Sequence, residues 1–335
     1  MMKLRYISIL TAALALIVCL SCKKQEETKE SLTGTMKVDH NMASYVKPGD
    51  SYTFSPSGVT VPDGTSVRYY FTAPISGIRD TLDAGGVYKY EVPDTTGTFT
   101  LTCTAYPVES SDKYYVKSGT ITFVIVDEAK TLTGIGRSLG DTRVWIEGQE
   151  YYAQKIGGHD WLRSNLRIIR RNDEGQEVFG HSFADSPAMQ NIFGAYYTWE
   201  EARTACPSGW RLPSESDWVD LLKAVGAPDS LLPMETSPSC AGKLMVKAYF
   251  NGALMWDYYR AVNIKNEAIS AIPAGYAGIV GDKYEFFGEL DYAAFWTSDE
   301  YEGKGVYRYI YKEYDNVFVG TASKDSFAAN VRCIR

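Results

Sequence analysis

The stretch ACPSGWRLPS at residues 205–214 separates two helices that the sequence predicts. Before this stretch, Thr198 begins a T-x-x-E capping box, in which each side chain can bond the backbone amide of the other residue. Pro207 and Gly209 then end the first helix, and Ser214 begins the second. The second helix carries apolar residues at helical spacing, at Trp218, Leu221, Leu222 and Val225, before Gly226.

Beyond these helices the sequence predicts strands and glycine-rich loops. The clearest hairpin pairs residues 306–311 with residues 317–322 across a Tyr-Asp-Asn turn. Along the first of these strands tyrosines alternate with Val306, Arg308 and Ile310, so one side of the strand carries only Tyr307, Tyr309 and Tyr311. That side could be an exposed platform or a packed sheet face. Helices followed by a strand-rich half indicate an α+β domain, which we place at residues 143–335.

The N-terminal half reads as strands throughout. Short β-rich runs separated by Gly, Pro and Asp fill residues 35–127, and TFTLTC at residues 98–103 alternates polar with apolar residues. This spacing predicts an all-β immunoglobulin-like sandwich. Cys103 falls on the apolar side of its strand, so we expect a buried thiol. Residues 128–142 are rich in Gly, Thr and Ser, and we expect a linker there.

The first residues predict an export signal and an anchor. Two basic residues precede an apolar run of fifteen at residues 6–20, which is too short for a membrane span and typical of a signal peptide over residues 1–21. Cys22 follows Ser21 and resembles the lipidated cysteine of bacterial lipoproteins. Residues 22–34 are mostly polar and charged, and we expect a flexible tether. The resemblance implies a lipid-anchored protein of a Bacteroidota-like outer membrane, facing the exterior.

Composition excludes several classes of protein. The chain has 34 basic and 41 acidic residues, a formal net charge of −7, whereas nucleic-acid affinity comes from clustered Lys and Arg. We therefore expect no nucleic-acid partner. The chain has three histidines and six cysteines, and its one Cys-x-x-Cys pair, Cys19 with Cys22, lies at the end of the predicted signal peptide. The sequence therefore does not predict a zinc scaffold. We predict no cofactor and no metal site. A calcium site in the acidic loop after Trp296 is the alternative.

A series of motifs runs in order along the second half of the chain. The stretch at residues 205–214, with Trp218 after it, resembles the centre of the Fibrobacter succinogenes major paralogous (FISUMP) domain. The likeness covers about residues 140–335. Its other motifs are WLRSNL at 161–166, GAYYTW at 194–199, AGKL at 241–244, IPAGY at 272–276, FWTS at 295–298 and NVRCIR at 330–335.

The resemblance implies a C-type lectin-like fold for the C-terminal domain. In such a fold the first helix lies close to the last strand, which implies a disulfide between Cys206 and Cys333 after export. Cys240 has no obvious disulfide partner in the sequence. The Trp-Arg-Leu-Pro motif also resembles the formylglycine-generating branch of the fold. That likeness covers the scaffold and not a catalytic cysteine pair, so we predict no catalytic residue and no enzyme.

The loops after the second helix are the predicted recognition region. In C-type lectin-like folds this part forms the variable binding face, and here it is aromatic, glycine-rich and charged. Exposed Trp and Tyr can stack on sugar rings or anchor a protein partner. The candidate residues for this face are Trp256, Tyr258, Tyr259, Tyr276, Tyr284 and Tyr292.

The resemblance to Bacteroidota lipoproteins of this build implies a non-catalytic binding or accessory subunit, associated with a SusC/SusD-type nutrient importer. One alternative is a stand-alone protein that binds a glycan or a peptide. A second alternative is a hydrolase with an unrecognised pair of carboxylates, since any two of the 41 acidic residues could meet.

Overall fold

The computed structural model of the chain describes residues 28–83, 85–135, 140–257, 264–266 and 268–335. The chain is predominantly β. The predicted signal peptide and Cys22 lie outside the described residues. Within the described ranges, no helix is both long enough and apolar enough to cross a membrane.

The N-terminal part is built from two facing sheets. The strands here are β1 (Glu30–Ser31), β2 (Thr33–His40), β3 (Tyr45–Val46), β4 (Ser51–Thr60), β5 (Val67–Thr72), β6 (Arg79–Leu82), β7 (Tyr88–Glu91), β8 (Gly97–Pro107), β9 (Tyr114–Tyr115) and β10 (Lys117–Ile125). One facing sheet has the strand order β2-β4-β7 and the other β3-β10-β8-β5-β6, while β1 pairs with β9 outside them.

Apolar side chains from both sheets share one core. Phe54 and Tyr88 of one sheet meet Phe71 and Leu101 of the other, and the rings of Phe71 and Tyr88 stack at 4.6 Å. The alternation along β8 directs Cys103 into this core, as its position in the sequence predicts. Burial raises the pKa of the Cys103 thiol to about 12.

Regular secondary structure extends into the two segments that were expected to be a tether and a linker. Strands β1 and β2 begin inside the predicted tether of residues 22–34, and β2 pairs with β4 from Thr33 onward. The predicted linker of residues 128–142 also begins as ordered structure. The Asp127 side chain caps a helical turn, α1 (Glu128–Thr131), by accepting hydrogen bonds from two backbone amides. The next strand, β11 (Leu132–Thr133), pairs with a strand of the C-terminal part.

The C-terminal part mixes helices with short sheets. Its helices are α2 (Gln190–Phe193), α3 (Trp199–Ala205), α4 (Glu215–Ala224) and α5 (Ala241–Leu244), with 3₁₀ turns at Phe183–Asp185 and Pro187–Met189. Its strands, after β11, are β12 (Thr142–Ile146), β13 (Gln149–Ile156), β14 (His159–Leu162), β15 (Arg170–Arg171), β16 (Glu177–Phe179), β17 (His181–Ser182), β18 (Ala195–Tyr196), β19 (Tyr249–Phe250), β20 (Ala253–Leu254), β21 (Tyr276–Val280), β22 (Lys283–Phe287), β23 (Tyr292–Tyr301), β24 (Lys304–Tyr311), β25 (Val317–Ala322) and β26 (Phe327–Ala328).

The two predicted helices are confirmed as α3 and α4. Thr198 caps α3 and Ser214 caps α4, each in a complete capping box. The apolar face of α4 packs into the core, where Trp218 is fully buried. The predicted hairpin is confirmed as β24 and β25, paired from Ile310 with Val317 onward.

The last residues of the chain pair with two earlier segments of this part. Ile334 forms isolated bridges with both Trp161 and Arg211. This path carries Cys333 to the end of α3, where a disulfide joins it to Cys206. The described cysteines Cys103 and Cys240 are buried free thiols.

The two parts share apolar side chains at what we call the junction. Tyr45 and Val126 of the sandwich belong to the same buried cluster as Phe183 and Phe193 of the C-terminal part. The rings of Tyr45 and Phe183 meet edge to face at 5.5 Å. The Tyr45 amide also donates to the Ser186 hydroxyl at 3.3 Å.

Candidate functional site

Strand β24 has two chemically different sides. Val306, Arg308 and Ile310 point inward and are fully buried. Tyr307 and Tyr309, with Tyr311 next on the same side, point the other way and are half-buried. The period-two alternation of a strand produces this separation directly.

Arg308 fixes which side faces inward. Its guanidinium donates to both carboxylate oxygens of Glu215 on α4, at 2.8 Å for Nε, and to the backbone oxygen of Glu235 at 2.6 Å. Arg308 and Glu215 are both buried. If β24 shifted by one residue relative to its neighbouring strands, the ion pair between Arg308 and Glu215 would be lost and the tyrosines would face the core. The ion pair therefore stabilises the observed register.

Neighbouring strands extend the aromatic side of β24. Across the ladder, Tyr292 stacks on Tyr311 with ring centres 4.5 Å apart, and Tyr309 stacks on Phe318 at 5.0 Å. Gly320 faces Tyr307, and a Cβ atom at this glycine would lie 2.7 Å from the ring. The missing side chain therefore makes room for the Tyr307 ring to lie against β25.

A second sheet continues the same surface. A bridge between Gly275 and Ala293 joins β21 to β23. Phe327 then lies 5.2 Å from Tyr276 and 5.0 Å from Tyr307, measured between ring centres. We call the combined surface the aromatic face. Its members are Tyr276, Phe287, Tyr292, Tyr307, Tyr309, Tyr311, Tyr314, Phe318 and Phe327.

The aromatic face offers both ring surfaces and hydroxyl groups. Tyr314 and Phe287 are the most exposed members, at 54% and 44%. Among the described residues, no hydrogen bond occupies the six tyrosine hydroxyls. Burial, followed by the neighbouring tyrosines, raises the pKa of Tyr307 to about 12, so its hydroxyl stays protonated even in moderately alkaline solution. The face can therefore stack on a ligand and also donate hydrogen bonds to it.

Comparison with known families identifies the C-terminal part. The Fibrobacter succinogenes major domain (Fib_succ_major) matches residues 155–335, more than half of the chain. The chain belongs to this family. The match confirms the resemblance carried by the sequence motifs. No curated protein and no solved structure matches the chain.

The candidate residues of the predicted recognition region separate within the Fib_succ_major domain. Tyr276 and Tyr292 belong to the aromatic face. Trp256 does not belong to a binding face: it is 1% exposed, and its indole nitrogen donates to the Ala271 carbonyl at 2.9 Å. Tyr258 and Tyr259 lie outside the described residues.

Tyr284 occupies a different place, a charged cleft of about 590 Å³. Its ring stacks on His181 at 3.7 Å between centres. Burial lowers the pKa of His181, against the opposing effect of nearby carboxylates, whereas burial and Glu177 raise the pKa of Asp185. Three carboxylates, of Glu177, Asp185 and Asp282, line this cleft together with the His181 imidazole. It is therefore the place where the hydrolase alternative would have to be tested.

Sequence reasoning missed part of the aromatic face. Phe318 and Phe327 are ordinary apolar residues of their own strands, and Tyr314 lies in a turn. Only the pairing of β24 with β25, and the approach of β26, brings them together. The alternation at Tyr307, Tyr309 and Tyr311 was the available signal, and it is consistent with either a platform or a packed face.

Proposed function

We propose that the chain is an outer-membrane lipoprotein that binds a glycan on the aromatic face, as a non-catalytic accessory subunit of a SusC/SusD-type importer. In this proposal an immunoglobulin-like sandwich supports a C-type lectin-like Fib_succ_major domain. The lipid anchor on Cys22 and the importer come from the resemblance to Bacteroidota lipoproteins. The aromatic face is the observation that carries the binding function.

The chemistry of the face favours a glycan. The apolar faces of sugar rings stack on flat aromatic rings, while sugar hydroxyls require hydrogen-bonding partners. The face supplies nine rings in contact with one another, and six of them carry hydroxyls. A purely apolar docking patch would not need those hydroxyls. The ion pair between Lys312 and Asp291 at 2.5 Å, with its exposed carboxylate, adds a polar group beside Tyr292 and Tyr311.

Titration calorimetry with a panel of neutral and acidic oligosaccharides tests this function. Once a binder is found, we expect Tyr309→Ala to weaken it about tenfold, equivalent to ~1.4 kcal/mol. Tyr309→Phe keeps the ring and loses only the hydroxyl, so its effect should be smaller. Tyr115→Ala is the matched control, because Tyr115 is an exposed tyrosine of the sandwich. Equal binding by Tyr309→Ala and the parent protein contradicts the proposal.

The importer association requires a separate experiment. Affinity purification from native outer membranes, with a tag at the C-terminus, should recover a transporter barrel and its lipoprotein partner in stoichiometric amounts. If the protein binds glycans but no transporter co-purifies with it, the result favours the stand-alone alternative. A protein that recovers the barrel and binds no glycan uses the aromatic face, or another surface, for docking instead.

A further inference from the structure

A second feature of the Fib_succ_major domain lies away from the aromatic face. Three arginines, Arg163, Arg167 and Arg332, line a cavity of about 100 Å³. The space is sufficient for several waters. Among the described residues that line this arginine cavity, every charged side chain is an arginine. Ser164 and Asn191 contribute neutral polar groups to its wall.

Among the described residues, the positive charge in this region exceeds the negative charge that offsets it. Arg163 pairs with Asp141 at 3.2 Å, and Arg167 lies 3.7 Å from a carboxylate oxygen of Glu128. Arg332 is completely buried, and its described hydrogen-bond acceptors are all neutral, among them the Asn165 side chain at 2.8 Å. Burial and the neighbouring Arg163 lower the pKa of Arg332 to about 9. A buried cation without an anionic partner is costly.

Arg167 supplies an unused donor at the cavity. Its Nε is buried and has no hydrogen-bond partner, while its Nη2 donates to the Glu150 carbonyl. The guanidinium is held in place over the Tyr151 ring, 4.5 Å from the ring centre. A fixed and unsatisfied guanidinium N–H is a strong donor for an oxygen anion.

We propose that the arginine cavity binds a small oxyanion, a carboxylate or phosphate group, which accepts a hydrogen bond from Arg167 Nε and neutralises the excess charge of Arg332. Asn191 is half-buried at the cavity wall, where its side-chain amide donates to a carboxylate oxygen of Glu128 at 2.8 Å. This site is independent of glycan binding on the aromatic face, so the failure of one proposal leaves the other standing.

Thermal unfolding with inorganic phosphate and with acetate as separate probes tests the site. Sodium chloride holds the ionic strength constant. A probe at about ten times its dissociation constant should raise the melting temperature by roughly 3 °C. The probe that gives the larger shift identifies the anion class. No shift with either probe, beyond that with chloride, overturns the proposal.

Two variants locate the effect. Arg167→Gln should reduce affinity for the effective probe at least tenfold, measured by calorimetry. Arg170→Gln is the matched control, because Arg170 is a neighbouring exposed arginine that does not line the cavity. If Arg167→Gln does not fold, Arg167→Lys keeps the charge and removes Nε, and at least threefold weaker binding is expected. Undiminished binding by either Arg167 variant also overturns the proposal.

Discussion

Removing the Cys206–Cys333 disulfide should destabilise the Fib_succ_major domain strongly. The bond closes a loop of 127 residues. In the chain-entropy account, a cross-link of this span lowers the entropy of the unfolded chain by an amount worth about 5 kcal/mol at 25 °C. The total stability of a domain is about 5–15 kcal/mol, so the double variant Cys206→Ala/Cys333→Ala should be marginally folded.

Tryptophan fluorescence measures this change in the relevant domain. All seven tryptophans of the chain lie at or after Trp145, so the signal reports the C-terminal part and not the sandwich. With a urea dependence of about 2.5 kcal/mol per molar, the loss of ~5 kcal/mol moves the unfolding midpoint down by about 2 M.

The control is Cys240→Ala, which removes a buried thiol from the same domain without opening a loop. A midpoint shift of the double variant no larger than that of Cys240→Ala refutes the reasoning. That result would mean that the unfolded chain is already compact without the disulfide, or that strain in the folded state cancels the stabilisation by the disulfide. Where the double variant does not fold, reduction of the parent protein before unfolding gives the same comparison.

Three further outcomes are expected. Glu215→Gln should lower the free energy of unfolding by about 3–5 kcal/mol in urea titrations, because it leaves the Arg308 cation buried without its carboxylate; a change below about 1 kcal/mol contradicts this. Burial raises the pKa of the Cys103 thiol to about 12, above its ordinary value. The folded protein therefore keeps this proton while the unfolded chain releases it above about pH 9, so the free energy of unfolding should fall as the pH rises. Cys103→Ala should therefore flatten the fall in stability between pH 8 and 10, and an unchanged slope counts against this. Residues 143–335 expressed alone should bind a hydrophobic dye more than the whole chain, since Phe183 loses Tyr45 at the junction; equal dye binding would contradict a shared core.

Local features of this fold were predictable from the sequence. The caps at Thr198 and Ser214 involve residues only three apart, so their pattern is complete within a few letters of sequence. The strand alternation around Cys103 is equally local. The family match at residues 155–335 spans the ordered motifs that are visible in the chain.

Features that depend on distant contacts were not predictable in the same way. Trp256 lies in an aromatic, glycine-rich segment that is typical of a loop. In the structure its indole nitrogen donates to the Ala271 carbonyl, and the side chain is buried in the core. Residues 128–133 read as a linker because their strand partner, β19, comes more than a hundred residues later. The arginine cavity requires Arg163 and Arg332 to meet across 169 residues, and no spacing in the sequence indicates that meeting.

The junction between the two parts has a mechanical consequence. Moving the domain away from the sandwich would expose apolar side chains of the junction, Phe183 and Tyr45 among them, at a cost of about 1.5–3 kcal/mol for each fully uncovered large side chain. The thermal energy RT at 25 °C is only about 0.6 kcal/mol, which is well below this cost. The aromatic face therefore keeps a fixed orientation relative to the sandwich, and a force applied to that face is transmitted to the sandwich through the packed side chains of the junction.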